Sequence, residues 1–532
     1  MFDVLIKNGH VIDGTGKPRC RADIGIRDGR IEAIGDLGVA AAKEVIDATG
    51  RAICPGFIDT HVHLDIMLLV DRANEASLSQ GITTVILGQD GLSYAPLSPA
   101  NLRTYARYLG GLNGYPDIGW DWQSVSEYRA RFHRQVALNT CYQVPHGAVR
   151  LEAVGFQDVP LIGEDLERAK RLVAQAFEEG AVAFSTGLSY YPQSWSTTEE
   201  LVELCKVAAR SGRPFVIHTR TVWRTLPSDW LTAATVEAIE IGRKSGASVH
   251  FSHFRTTPRN AGRVAELMAP IDEALRQGLD ITLELYPYPS GSGFVMFLIP
   301  GWAHEGGPEA LLRRVRDPAT RRRIARSMWQ ESTVPPALDD VVTYVPSEKN
   351  AWAMGLTFEA IARRMGVDDV AEAILVLLAE ENLQVGYRGS PPGDVQIWER
   401  LNQDFLELVS RPYYMVGSDS IHIGRHPHPR TWGTFPRFLR LARERGYPTL
   451  EALINRMTEV PARRFGLKDR GTLEPGKAAD VVVFDPETVR DTATYENPVQ
   501  KAVGIDYVLV NGQVAYRDGR ATGVLAGRAL PE

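Results

Sequence analysis

The strongest chemical signal in the chain is an apolar segment that ends in paired imidazoles, Pro55-Gly56-Phe57-Ile58-Asp59-Thr60-His61-Val62-His63. Residues two apart on a strand point to the same side. His61 and His63 can therefore meet on one ion, and neutral imidazole is a good zinc ligand. Three later apolar segments end in similar groups. Phe215-Val216-Ile217-His218 follows Gly212-Arg213-Pro214, Val249-His250-Phe251-Ser252-His253 comes next, and Tyr414-Met415-Val416-Gly417-Ser418-Asp419 is the last. Any one of them taken alone reads as a hydrogen-bonded polar residue at a strand end. Four strand ends presenting His-x-His, His, His and Asp in chain order point instead to a metal centre.

A centre built from strand ends needs a scaffold that gathers them. Strands are predicted at 57–62, 82–88, 137–144, 180–186, 214–219, 247–252, 279–286 and 413–418, with helical stretches between them. One such stretch, 164–179, carries Leu166, Ala169, Leu172, Val173 and Ala176 at helical spacing. Eight strands of this kind predict an α/β fold, a closed (β/α)8 TIM barrel whose function collects at the C-terminal strand ends. No G-x-G-x-x-G follows the early strands, which disfavours an open doubly wound sheet.

Both ends of the chain read as short strands. Asp28-Gly29 between Ile24/Ile26 and Ile31/Ile34 is a hairpin signal. Val481-Val482-Val483-Phe484, and Val508-Leu509-Val510 with Asn511-Gly512, repeat the style. Residues 1–55 and 471–532 are expected to form one small β-sandwich domain, each covering the other's strand edges, beside a barrel spanning 56–470. The link between the seventh and eighth strands is far longer than one barrel helix needs. Part of it, 293–352, is expected to be an insertion near the barrel mouth. Trp302, Trp329 and Trp352 would line a lid there or, more plainly, pack in its core.

Composition narrows the function. The chain has 532 residues, 44% hydrophobic and 23% charged, which is ordinary for a folded protein. A net charge of −6 gives no reason to expect a nucleic-acid or membrane partner. The beginning lacks a basic region followed by a long apolar stretch, and no aliphatic run approaches the ~18 residues of a membrane span. Cys20, Cys54, Cys141 and Cys205 are scattered, so a reducing cytoplasm is expected rather than a disulfide scaffold. A homo-oligomer is compatible with all of this.

Over nearly its whole length the chain resembles the metal-dependent amidohydrolase superfamily, and within it the N-acyl-D-amino-acid deacylases (D-aminoacylases). The resemblance runs through Asn8-Gly9, Asp13-Gly14-Thr15-Gly16, Gly81-Ile82-Thr83-Thr84-Val85, Ser185-Thr186-Gly187-Leu188 and Tyr286-Pro287-Tyr288. It continues through His428-Pro429-Arg430, Gly433-Thr434-Phe435-Pro436-Arg437 and Gly476-Lys477-Ala478-Ala479-Asp480-Val481-Val482-Val483-Phe484. It implies a zinc site of one or two ions, with His61 and His63 on one and His218 and His253 on the other. His253 is preferred to His250 on the sixth strand because Ser252-His253 matches the family's Ser-His. Asp419 matches the aspartate that contacts metal-activated water.

One departure stands out. The family places a metal-binding cysteine after the second strand, where this chain reads Gly88-Gln89-Asp90-Gly91. A carboxylate at Asp90 can ligate or bridge zinc and also suits manganese or another hard divalent ion; its plainer role would be to cap the turn before Gly91. The resemblance further implies that Arg430 grips the carboxylate of an N-acyl amino acid. Arg255 stands where the family often has lysine, and Tyr190, Tyr286 and Ser292 match other substrate contacts. His146, at the end of the third strand, is a further candidate. The implied reaction is hydrolysis of the amide of an N-acyl-D-amino acid. The metal lowers the pKa of water to about 7, and Asp419 moves the proton to the leaving amine. A cyclic amidase of the dihydroorotase or hydantoinase kind, or a dipeptidase, is the alternative enzyme. The fourth strand counts against these, because Ala183-Phe184-Ser185-Thr186 offers no lysine to bridge two metals. A metal-free interaction module is the alternative outside enzymes, but it has no need of these histidines.

Overall fold

The computed structural model describes residues 1–221, 230–332 and 334–532. At its centre are eight parallel strands: β1 Phe57–Asp59, β2 Ile82–Leu87, β3 Asn139–Pro145, β4 Ala183–Gly187, β5 Phe215–His218, β6 Val249–Phe251, β7 Ile281–Leu285 and β8 Tyr414–Val416. They pair in sequence order from β1 to β8. Every residue of β1 to β8 is buried, as expected of a parallel sheet covered on both faces. The fold is a TIM barrel, as the alternation of predicted strands and helices requires.

The seam between β8 and β1 is closed at its C-terminal end and is partly made of side chains. Thr60 N donates to Val416 O (3.4 Å) and Asp419 N to His61 O (2.8 Å). Ser420–Ile421 then pairs in parallel with Val62–His63. Asp59 completes the join. Its carboxylate accepts from Ser418 N (2.8 Å), Ser418 Oγ (2.5 Å) and His61 N (3.2 Å). The seam thus fixes Asp419 directly beside the His-x-His pair.

The two ends of the chain share one nine-stranded sheet. Its central join is antiparallel, Val481–Phe484 of the C-terminal part against Ala52–Pro55 of the N-terminal part. This single sheet curls until Ala479 N reaches Gly29 O (2.9 Å) and Ile31 N reaches Lys477 O (2.9 Å). Val4, Ile6, Ile24, Ile26, Ile53, Val481 and Leu509 fill its interior. Curling lets one sheet bury its apolar face on itself.

A buried polar cluster bolts this sheet to the barrel. Asp480 accepts from Asn511 N (2.7 Å) and from Asn139 Nδ2 at the foot of β3 (2.9 Å), and it pairs with Arg470. Asn511 Nδ2 donates to Asn139 Oδ1 (2.7 Å). Below it, Ala529–Leu530 pairs with Thr140–Cys141 of β3. Between β7 and β8 the chain makes a long excursion. Strands Ser292–Phe294, Val341–Tyr344 and Gly386–Arg388 form a three-stranded sheet in it, with Gly386–Arg388 in the middle and beyond the expected 293–352 segment. The three tryptophans do not form one wall. Trp302 stacks under Arg323, Trp352 under Arg364, and Trp329 donates to Asp369. Among the described residues no helix is long and apolar enough to cross a membrane.

Asp480 and Arg470 are both buried, so removing one partner strands the other's charge. Asp480→Ala is expected to destabilise the protein by about 3–5 kcal/mol, read as a lower urea midpoint. An unchanged midpoint would refute the bolt.

Candidate metal centre

Six residues converge at the C-terminal mouth of the barrel. His61 and His63 come from the end of β1, Asp90 from the turn after β2, His218 from the end of β5, His253 from just past β6 and Asp419 from just past β8. Two sets of potential ligand atoms lie within 4.8 Å of one another, His61–His63–Asp419 and His61–Asp90–His253. Asp419 Oδ1 is 3.5 Å from His61 Nε2 and 3.3 Å from His63 Nε2. Asp90 Oδ2 sits between three rings, 3.7 Å from the Nε2 of both His61 and His63 and 3.5 Å from His218 Nδ1. His218 Nδ1 and His253 Nε2 are 2.9 Å apart, close enough for a shared proton or a common cation.

The backbone is bent to achieve this. Asp90, His253 and Asp419 have φ of 55°, 36° and 52°, the left-handed region that costs a non-glycine residue of the order of 1 kcal/mol. Asp90 does not cap its turn. Its Oδ1 is buried without a hydrogen-bond partner, and among the described residues no backbone N–H donates to its carboxylate. His250, the other candidate on β6, points lower in the barrel, where Nδ1 meets Thr282 Oγ1 (2.8 Å) and the ring packs on Phe465.

Electrostatics fits a cation. Burial opposes ionisation of Asp90, but His61 and His218 hold it well below the usual carboxylate range. Burial opposes Asp419 too, and Arg430 and His61 hold it down. His61 is lifted well above its ordinary value, against burial, by Glu284, Asp90 and Asp419. His253 is pushed down to about 3 by burial and then by His218. His61 Nε2, His63 Nδ1 and Asp90 Oδ1 are buried polar atoms without hydrogen bonds. Four imidazoles and two carboxylates are a suitable donor set for zinc or a similar divalent ion.

Beside the centre lies a cationic and aromatic wall. Arg430 is fully buried, pairs with Asp419 Oδ2 through Nη1 (2.8 Å), donates from Nη2 to Ser292 O (3.2 Å) and lies over the Tyr286 ring. Arg255 covers the same ring and donates to Tyr286 Oη (2.8 Å) and Ser290 O (3.2 Å). Tyr190 meets His218 edge to face and packs against Phe294 and Phe297. Ser292 reaches Arg430 through its carbonyl, because its hydroxyl donates to Tyr387 O (2.9 Å).

His146 is not part of this wall. Its nitrogens meet Thr186 Oγ1 (2.9 Å) and Glu200 Oε1 (3.1 Å) inside a buried cluster with Arg150. The ring turns toward the helix Thr198–Arg210 that carries Glu200, and a buried acid is a better partner than the pocket.

One supporting residue escaped the sequence reading, and a second was read only as part of a motif. Glu284 of β7 meets His61 Nδ1 (2.5 Å). His428 Nδ1 accepts from Arg430 N (3.1 Å), and its Nε2 contacts Ser290 Oγ and Tyr495 Oη. A lone acid within the apolar Ile281–Leu285 was the available signal for the first.

The amidohydrolase family model matches residues 44–298 and 324–516. The chain belongs to the amidohydrolase family. An N-acyl-D-glutamate deacylase of Alcaligenes xylosoxydans xylosoxydans is 36% identical over 96% of this chain and 93% of its own length. The crystal structure of an N-acyl-D-glutamate deacylase from Bordetella bronchiseptica has zinc and a phosphonate inhibitor that mimics the tetrahedral intermediate. It matches with a TM-score of 0.81 and 34% identity over the full length of both chains. A D-aminoacylase with a binuclear metal centre matches with a TM-score of 0.79 and 30% identity over 99% of both.

Asp90→Ala is expected to lower bound divalent metal, measured by elemental analysis, and Asp90→Cys to restore much of it. Unchanged metal content and activity in Asp90→Ala would remove Asp90 from the ligand set.

Proposed function

We propose that this chain is a metal-dependent hydrolase that cleaves the amide of N-acyl-D-amino acids into a carboxylate and a free D-amino acid. The observation that carries the reading is the convergence of His61, His63, Asp90, His218, His253 and Asp419 beside a wall of Arg430, Arg255 and Tyr286. Full-length relatives that act as N-acyl-D-glutamate and N-acyl-D-aspartate deacylases support it. On this reading the six residues hold one or two zinc ions, with manganese as a competing occupant because Asp90 brings a hard oxygen donor.

A divalent ion supplies an acidified water and polarises the scissile carbonyl. The side chains do the rest. Asp419 Oδ1 faces both His61 and His63, so it can take the water's proton and deliver it to the leaving nitrogen. Its other oxygen is held by Arg430, which orients the carboxylate and keeps it ionised. Arg430 and Arg255 offer guanidinium groups to the substrate's carboxylate across the Tyr286 ring. The substrate is a small molecule, and the four cysteines are free thiols, in keeping with a cytoplasmic enzyme.

The deciding assay pairs D- and L-N-acyl amino acids with cyclic ureides as a third arm. Turnover of the D series is expected; turnover of the ureides alone would favour a cyclic amidase. Asp419→Asn is expected to lower kcat by about 10²–10⁴-fold, the contribution of a general base, while the fold persists. Near-normal turnover would end its proton-transfer role. Arg430→Ala is expected to raise KM and also lower kcat, because the guanidinium touches both substrate and Asp419. A KM effect alone would show that its pairing with Asp419 plays no part in turnover.

A further inference from the structure

Glu284 is the penultimate residue of β7 and is almost fully buried, at 1% exposure. Its carboxylate takes three hydrogen bonds from two segments of the mouth, Thr60-His61 and His253. Oε1 lies 2.5 Å from His61 Nδ1 and accepts the backbone N–H of His253 (3.2 Å). Oε2 accepts the Thr60 hydroxyl (2.5 Å). A carboxylate only accepts, so His61 must place a proton on Nδ1. Its remaining lone pair is then on Nε2, the atom that faces Asp90 and Asp419 and has no hydrogen-bond partner.

Space is reserved for this carboxylate. A Cβ added at Gly417 would collide with Glu284 Oε2 and approach His61 Cβ to 2.8 Å. The glycine of Gly417-Ser418-Asp419 therefore does more than turn the chain. It lets β8 pass close enough to set Asp419 opposite His61 while Glu284 lies between them and the barrel floor.

We propose that Glu284 is a positioning residue for the metal centre: it fixes His61 as the Nδ1–H tautomer, keeps Nε2 as the ligand atom, and braces His253 through its backbone. One carboxylate thereby couples the His-x-His side of the centre to the β6 side. This rests on the metal-dependent reading above. Partners of this kind typically set metal affinity by 10–100-fold.

The test is zinc affinity of the full-length protein, measured by competition with a chromophoric chelator. Glu284→Gln keeps volume but cannot accept from His61, Thr60 and His253 together. The variant is expected to bind zinc 10–100-fold more weakly than wild type with an unchanged circular-dichroism spectrum. Equal affinity in a folded variant would overturn the proposal and leave the metal-dependent function standing. If Glu284→Gln does not fold, the zinc-loaded wild type labelled with ¹⁵N histidine decides. The resonances lost in His61→Asn should show Nδ1 protonated and Nε2 metal-bound, and the reverse tautomer would overturn the proposal. Failure of wild type to bind zinc at all would overturn the underlying reading as well.

Discussion

The mouth of this barrel is governed by one electrostatic demand: buried negative charge has to be matched. Asp90, Glu284 and Asp419 are all nearly excluded from solvent and held ionised by their neighbours. Among the described residues, Arg430 is the only guanidinium paired with any of them. The rest of the demand falls on imidazoles. Isolated carboxylates in such a place cost several kcal/mol each, so the arrangement is stable only if protons or cations sit among the rings. That need explains why ligand atoms from β1, β2, β5, β6 and β8 crowd together.

Much of the site was legible in the sequence because the barrel converts chain order into place. A histidine at a strand end is carried to the mouth whatever its helices look like. His61, His63, His218 and Asp419 could thus be gathered from local patterns, whereas the choice of His253 over His250 and the singling out of Asp90 came from the resemblance to the deacylases. Glu284 was hidden for the same reason that it works. It lies inside an apolar strand, where position along the chain does not reveal that two other segments point donors at it. His146 misled in the opposite direction. It occupies a strand end, but Glu200, 54 residues later, captures it, and such a pairing cannot be read from one segment. That both ends share one sheet followed from their strand patterning, which specifies faces and leaves open how far the sheet curls onto itself.

On the proposed reading, Arg430 would serve two ends. Its carboxylate-binding role suggested a cation waiting for substrate. In the fold it already has an acid, Asp419, a ring, Tyr286, and a carbonyl, Ser292. Substrate would join this set without replacing it, and the geometry of proton transfer and that of binding are consequently linked. The left-handed turns at Asp90, His253 and Asp419 belong to the same economy. Strain at these positions is sustained by the seam, by Glu284 and by the closed barrel beneath.

The shared sheet has a kinetic side. Ala52–Pro55 finds its partner in Val481–Phe484, which leaves the ribosome some 400 residues later. At about 5–20 residues per second that is a wait of about 20–80 s. Throughout it, one edge of the strand that leads into His61 has no neighbour to cover it. Nascent chains of this protein would therefore spend their synthesis with an aggregation-prone edge on show, and the metal centre would be assembled just beyond a strand whose edge is among the last to be covered.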